Sequence, residues 1–233
     1  INAVMGGHCA YHVADTDKMV KIPPGCKDKH AAFYIMPRVG LNAISMVNVV
    51  DGDAVLISGQ GLIGQYFGQW CRNRGARVIA VEPDPVRADL SRRLVTEHVL
   101  NPFEDDLETR VADLTGGNGP DVVAEATANA DLIGQATGFL QPDSKMVFLS
   151  WYPGEITIDF SHFHNNAVTA YFPMGAGDRK TCEGVLRAMA CGVISVEENI
   201  TDVLPAKKAV EGYERIIAGG KNLQGLVIDW RDS

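Results

Sequence analysis

The sequence predicts an α/β fold built on a doubly wound parallel sheet. Three observations carry that prediction. Between residues 54 and 150, short apolar runs alternate with segments of helical periodicity, the pattern of a parallel sheet covered on both faces. A glycine-rich turn, Gly59-Gln60-Gly61-Leu62-Ile63-Gly64, stands between the first such run and the first helix after it. An acidic residue, Glu82, ends the second run.

The elements follow in order. Residues 1–38 are punctuated by Gly6-Gly7 and Pro23-Pro24-Gly25 and read as short strands without a buried helical period. Leu41, Ile44, Val47 and Val50 recur at helical spacing, and Asp51-Gly52-Asp53 stops that helix. Ala54–Ser58 is an apolar strand, and Leu62, Ile63, Tyr66, Phe67 and Trp70 mark the helix after the glycine turn. Val78–Val81 is the second strand, and Val86, Leu90 and Leu94 give the next helix one apolar face. His98-Val99-Leu100 reads as a strand and Leu107, Val111 and Leu114 as a helix. Asp121–Thr127 is a strand, Ile133–Leu140 a helix, and Met146–Ser150 a fifth strand. Ile156–Phe160 and Val168–Phe172 alternate like half-exposed strands. Helices over Cys182–Ala190 and Ala206–Ile217 and a strand over Leu226–Trp230 close the chain.

Composition narrows the function. The 233 residues are 46% hydrophobic and 21% charged, with a net charge of −8. An acidic surface repels phosphate backbones and anionic lipid, so nucleic-acid and membrane binding are disfavoured. No apolar run reaches the roughly 20 residues of a membrane span. The opening INAVMGGHCAYHV lacks a secretory leader's layout and reads like the interior of a chain. Cys9, Cys26, Cys71, Cys182 and Cys191 are odd in number and form no close CxxC pair. They read as reduced thiols in a cytoplasmic protein, with no zinc ribbon.

The glycine turn has the GxGxxG spacing of a Rossmann dinucleotide site. Gly59 permits the tight turn, Gly61 lets backbone approach a pyrophosphate, and Gly64 lets the helix pack against the strand. The helix opening at Leu62 and Ile63 offers free N–H groups to the diphosphate. Glu82 lies about 20 residues on, where a carboxylate accepts the adenosine ribose hydroxyls and repels a 2′-phosphate. The cofactor expected is therefore NAD.

With these residues in view, the chain resembles the medium-chain dehydrogenase/reductase superfamily, of the zinc alcohol and polyol dehydrogenase type. GGHCAYHV (6–13) is similar to that family's GGFAEYVV-type strand, and KIPPG (21–25) to its proline turn. VLISGQGLIGQ (55–65) resembles the nucleotide loop VLVxGAGPIGL, and VIAVEPDPVR (78–87) the strand ending in the ribose carboxylate. HVLNP (98–102), DVVAEAT (121–127) and LVIDW (226–230) also fit. The resemblance implies a Rossmann domain over 39–177. It makes 1–38 a remnant of a GroES-like catalytic domain and 178–233 the return of the chain to it. A full member would carry roughly a hundred more residues upstream (compare domain sizes), with the first zinc ligand and, in many members, a four-cysteine site. The resemblance places a third ligand at Ile35, which cannot bind metal. Val95 and Thr96 replace the usual Gly-Ala, and Gln224 stands where a pyrophosphate-binding Arg is common. It also suggests a cofactor contact at Thr127, a strand end beside the crevice. Ser150 and Trp151 end the fifth strand, within reach of the nicotinamide ribose, although strand-end packing explains all three as well.

Other residues are weighed against plain packing. His8 and His12 share one face if residues 8–12 are extended, with Cys9 opposite, and strand packing explains them better than a metal does. His162 and His164 share a face of an extended stretch, as substrate acid–base groups or as loop histidines. Glu104, Asp105, Asp106 and Glu108 suit a helix start. Tyr66, Trp70 and Cys71 read as core. No GxSxG, HExxH or P-loop lysine motif appears. The expected function is zinc-independent, NAD(H)-dependent hydride transfer between the nicotinamide and a small alcohol or carbonyl substrate. No catalytic residue is assigned. The alternatives are a non-catalytic NAD(H)-binding subunit or redox sensor, or a fragment of a longer dehydrogenase. The uncharged Val168–Phe172 strand predicts a homodimer by edge pairing.

Overall fold

The computed structural model describes residues 8–16, 19–219 and 223–231. The Gly6-Gly7 step lies outside the described residues. Two compact units are present, one of residues 1–38 and 177–233, the other of residues 39–176.

The second unit holds a six-stranded sheet in the order β3-β2-β1-β4-β5-β6, with every neighbouring pair parallel. The strands are β1 (Ala54–Ser58), β2 (Arg77–Val81), β3 (Val99–Leu100), β4 (Val122–Glu125), β5 (Lys145–Phe148) and β6 (Thr169–Tyr171). This is the Rossmann order, and the chain reverses its winding between β1 and β4, where such folds bind ligands. β1 and β4 are buried along their whole length. The helices between strands are α3 (Leu62–Asn73), α4 (Pro85–Leu94), α5 (Leu107–Thr115) and α6 (Ile133–Thr137). α5 and α6 seal one face through Leu107, Val111, Ile133 and Ala136, packed with Leu56, Val123 and Met146. Burial of that apolar surface is the main stabilising term.

Local chemistry sets the helix ends. Asp84 caps α4, accepting from the amides of Val86 and Arg87 at 2.9 and 3.0 Å, with Pro85 at the first helical position, where its missing N–H costs nothing. Asp106 caps α5, and Gly116, at φ 64°, ends it.

In the first unit, α1 (Asp28–Ala32) and α8 (Arg179–Ala190) accompany a parallel pair of strands, β7 (Ile200–Pro205) and β8 (Gly225–Asp229), with α9 (Ala209–Ile217) between them in sequence. Buried Arg38 donates to the carbonyls of Gly177 and Asp178 at 2.6 and 2.9 Å.

Several expectations are corrected. Residues 8–16 and 19–38 form no extended strand beyond an isolated bridge at Met19. A strand is stabilised by its ladder partners, and none is supplied there among the described residues. α2 (Ile35–Val47) begins and ends earlier than the 41–50 spacing implied, with Asn48, at φ 52°, breaking it. Residues 156–159 are irregular, and α7 (Phe160–Asn165) follows. There Asp159 accepts from the His162 amide at 3.1 Å, so a helix cap overrides the alternating pattern. His162 and His164 therefore do not share a face, since two helical residues stand about 200° apart. β7 was not expected. A register shift between Ile200 and Asp202 breaks the period-2 signal by which a strand is recognised.

Among the described residues no helix is long and apolar enough to cross a membrane. All five cysteines are free, with Cys26, Cys71 and Cys182 buried.

Candidate functional site

The carboxyl ends of β1, β2 and β4 open into a cavity of about 410 Å³. Gly59, Gly61, Glu82 and Thr127 line it, together with Arg87, Phe103 and Gln135.

The glycine turn is built as its spacing demands. Gly59 has φ 91°, a conformation L side chains rarely adopt, and a Cβ there would lie 2.9 Å from the Ala126 carbonyl atoms. A Cβ on Gly64 would lie 2.1 Å from the Gly59 oxygen, so this glycine is what brings α3 down onto the turn. A Cβ on Gly61 would meet no atom within 4 Å. The space above Gly61 is open, as it must be for a ligand to approach the backbone. Gly61 is also the N-cap of α3 and provides no side-chain cap, so the first N–H groups of the helix are left to a ligand or water. Leu62 and Ile63 begin that helix, half-buried, and do not line the cavity.

Glu82 is buried, at 4% exposure. Its Oε2 accepts from the Gln60 amide at 2.8 Å and its Oε1 from the Asp84 amide at 2.9 Å. A carboxylate oxygen has two lone-pair directions. Each oxygen thus keeps one for a further donor, and a vicinal diol is one group that presents two. The Gln60 side chain, fully buried, donates to the Gly59 carbonyl at 3.1 Å and accepts from Ser91 Oγ at 2.8 Å. The loop is therefore held by polar bonds on both sides of its middle residue.

Thr127 lines the cavity, whereas Ser150 stands behind the turn, its Oγ accepting from the Ala128 amide at 3.0 Å. Trp151 is 79% exposed and outside the cavity. Arg87, Phe103 and Gln135 were not singled out from sequence. Each sits on a different segment, and only the closing of the sheet brings them together. His8 and His12 are exposed. Among the described residues no group of three His, Cys, Asp or Glu is placed to hold a metal.

The family model described as zinc-binding dehydrogenase matches residues 63–190. The L-threonine 3-dehydrogenase of Pyrococcus horikoshii is 32% identical over 183 residues, 76% of this chain and 53% of that protein. The chain spans about half the length of the curated relatives it matches at this level. Among solved structures, an oxidoreductase/dehydrogenase of unknown specificity from Escherichia coli superposes with a TM-score of 0.86 at 21% identity, covering 93% of this chain and 62% of that one. A short chain alcohol dehydrogenase from E. coli CFT073, complexed with NADH, superposes with a TM-score of 0.77 at 17% identity, covering 92% and 63%.

Proposed function

The chain belongs to the zinc-binding dehydrogenase family, and from that premise we propose that it is an NAD(H)-dependent oxidoreductase acting on an alcohol or carbonyl compound. The observation that carries the reading is the Glu82 carboxylate, anchored by two backbone amides at the edge of the cavity beside the uncapped start of α3. Gly59, Gly61 and Gly64 with the amides of Leu62 and Ile63 would hold the diphosphate, and Glu82 the adenosine ribose. Thr127 would flank the cofactor, while Ser150 and Trp151, which do not line the cavity, would meet only a nicotinamide end that extends beyond it. The chemistry the bound cofactor supplies is hydride transfer at the nicotinamide C4. The chain's own part would be to orient the dinucleotide, the helix dipole holding its diphosphate and the Glu82 carboxylate its adenosine ribose.

Zinc, which the family's description implies, needs three or four nitrogen, sulfur or oxygen ligands. Ile35 offers only hydrocarbon, and no such donor group is assembled among the described residues. The described residues do not fit the metal, and the proposed reaction takes no step through it. The test is a fluorescence titration of the purified chain with NADH and NADPH, elemental analysis for zinc, and NADH consumption against a panel of carbonyl compounds. NADH is expected to bind the more tightly, with no stoichiometric zinc and with turnover of at least one carbonyl. Binding without turnover would favour a redox sensor. Binding of neither cofactor would sink the reading, and about one zinc per chain would refute the zinc-independent form.

We also propose a homodimer through β6. Thr169 donates its amide inward to the Ser144 carbonyl at 3.2 Å, so strand alternation aims the Ala170 amide at the open edge. Thr169 and Ala170 are exposed, and Phe172 just beyond them is 61% exposed while stacking on Phe148. An uncharged open edge is a template for a second copy, and two-fold pairing closes it. Light scattering at micromolar concentration is expected to show a dimer. Ala170→Pro should give a monomer that still binds NADH, because it removes an outward donor and leaves the inner ladder intact. A monomeric wild type would refute the interface.

A further inference from the structure

Glu125 ends β4, in register between Ser58 of β1 and Phe148 of β5, and is fully buried. The glycine loop does not use it. Its Oε2 is buried and makes no hydrogen bond, a loss that folded proteins rarely tolerate without a reason. Its Oε1 accepts from the Thr127 amide at 2.7 Å and also from the Thr127 hydroxyl. The brace then continues. The Thr127 oxygen accepts from the Asn129 amide at 3.1 Å, and Asn129 Oδ1 accepts from the Asp131 amide at 3.1 Å. Between them Ala128 sits at φ 58° and donates to Ser150 Oγ at 3.0 Å. A non-glycine residue in the left-handed region is held there only when its surroundings insist on it. Those surroundings are side-chain bonds, and Glu125 is their buried end.

The place of this turn matters to the cavity. Ala126 is the residue a Gly59 side chain would strike, and Ala126, Thr127 and Asn129 form the wall facing Gly61 and Glu82. We propose that Glu125 is a positioning residue for dinucleotide binding, holding the strained 126–129 turn so that its backbone forms the cavity wall against the glycine loop. The proposal rests on reading this cavity as the dinucleotide site. Burial pushes the Glu125 carboxyl above its ordinary pKa, against the opposing pull of its bonds to Thr127.

Two variants of similar bulk separate a brace from a mere space-filler. Glu125→Gln keeps an acceptor oxygen for Thr127, and Glu125→Leu does not. Three quantities are measured: the NADH dissociation constant, the unfolding midpoint, and amide hydrogen exchange at residues 127–129. For Glu125→Leu, exchange should accelerate and NADH binding weaken about tenfold or more. The unfolding midpoint should fall modestly, because the loss of the acceptor for the Thr127 amide and hydroxyl outweighs removal of the unpaired Oε2. For Glu125→Gln, affinity and exchange should stay near wild type. Unchanged NADH affinity in Glu125→Leu, or equal losses in both variants, would overturn the proposal. Failure of the wild type to bind NADH would instead remove the dinucleotide reading, and the exchange data would still decide whether the brace exists.

Discussion

Glu82→Ala is expected to lower NADH affinity by about 10- to 100-fold, the loss of roughly 1.5–3 kcal/mol that follows removal of a charged hydrogen-bonding group. The wild-type carboxylate is fixed by the amides of Gln60 and Asp84, so little ordering remains for the ligand to supply. Its charge also opposes a 2′-phosphate, and Arg87 lines the same cavity. With Glu82 gone, Arg87 is the remaining charged side chain among the lining residues. NADPH should then bind at least as well as NADH, reversing the wild-type order. Glu82→Gln is the finer probe. It keeps one acceptor oxygen but turns an NH2 group toward one of two amide donors, so it should fall between wild type and Ala. Paired titrations of both reduced cofactors decide the matter. A wild type that binds the two equally, or a Glu82→Ala variant that keeps the NADH preference, would refute the assignment.

Gly64→Ala should be the most damaging single methyl in the fold. The new Cβ would stand 2.1 Å from the Gly59 carbonyl oxygen. The obstacle is backbone, held in the left-handed turn at Gly59, so relief requires opening the turn. Overpacking of this kind costs about 1–3 kcal/mol, occasionally more, and the upper part of that range is expected here. In a chain of this size the shift in Tm would be roughly 6–12 °C. Gly134→Ala is the control. It lies inside α6, and its Cβ meets no atom within 4 Å, so it should be neutral or stabilising by up to about 1 kcal/mol. Denaturant midpoints for the two variants give the comparison. A Gly64→Ala midpoint indistinguishable from wild type would mean that α3 is not seated on the turn as described.

Much of the second unit was legible because its signals are local. Val55, Leu56 and Ile57 are apolar in succession because β1 is buried on both faces. The glycines at 59 and 64 are legible because each marks a place where a Cβ is excluded by conformation or packing. Where local signals competed, reading was harder. The residues 156–160 alternate like a strand, yet Asp159 caps a helix. Ile200–Pro205 is a strand whose bulge hides its period.

By itself the sequence determined the alternation of strands and helices, the glycine turn and the carboxylate at the end of β2. These follow from periodicity and from residue chemistry within one βαβ unit. Tertiary structure alone decided the order β3-β2-β1-β4-β5-β6 and the meeting of Glu82, Arg87, Phe103, Thr127 and Gln135 around one cavity. It alone buried Glu125 and tied it to Thr127. A carboxyl at a strand end is indistinguishable in sequence whether it meets solvent or protein. Which of the two it meets depends on the neighbours the sheet brings from 20 to 70 residues away, here the amide of Gln60 for Glu82 and the register partner Ser58 for Glu125.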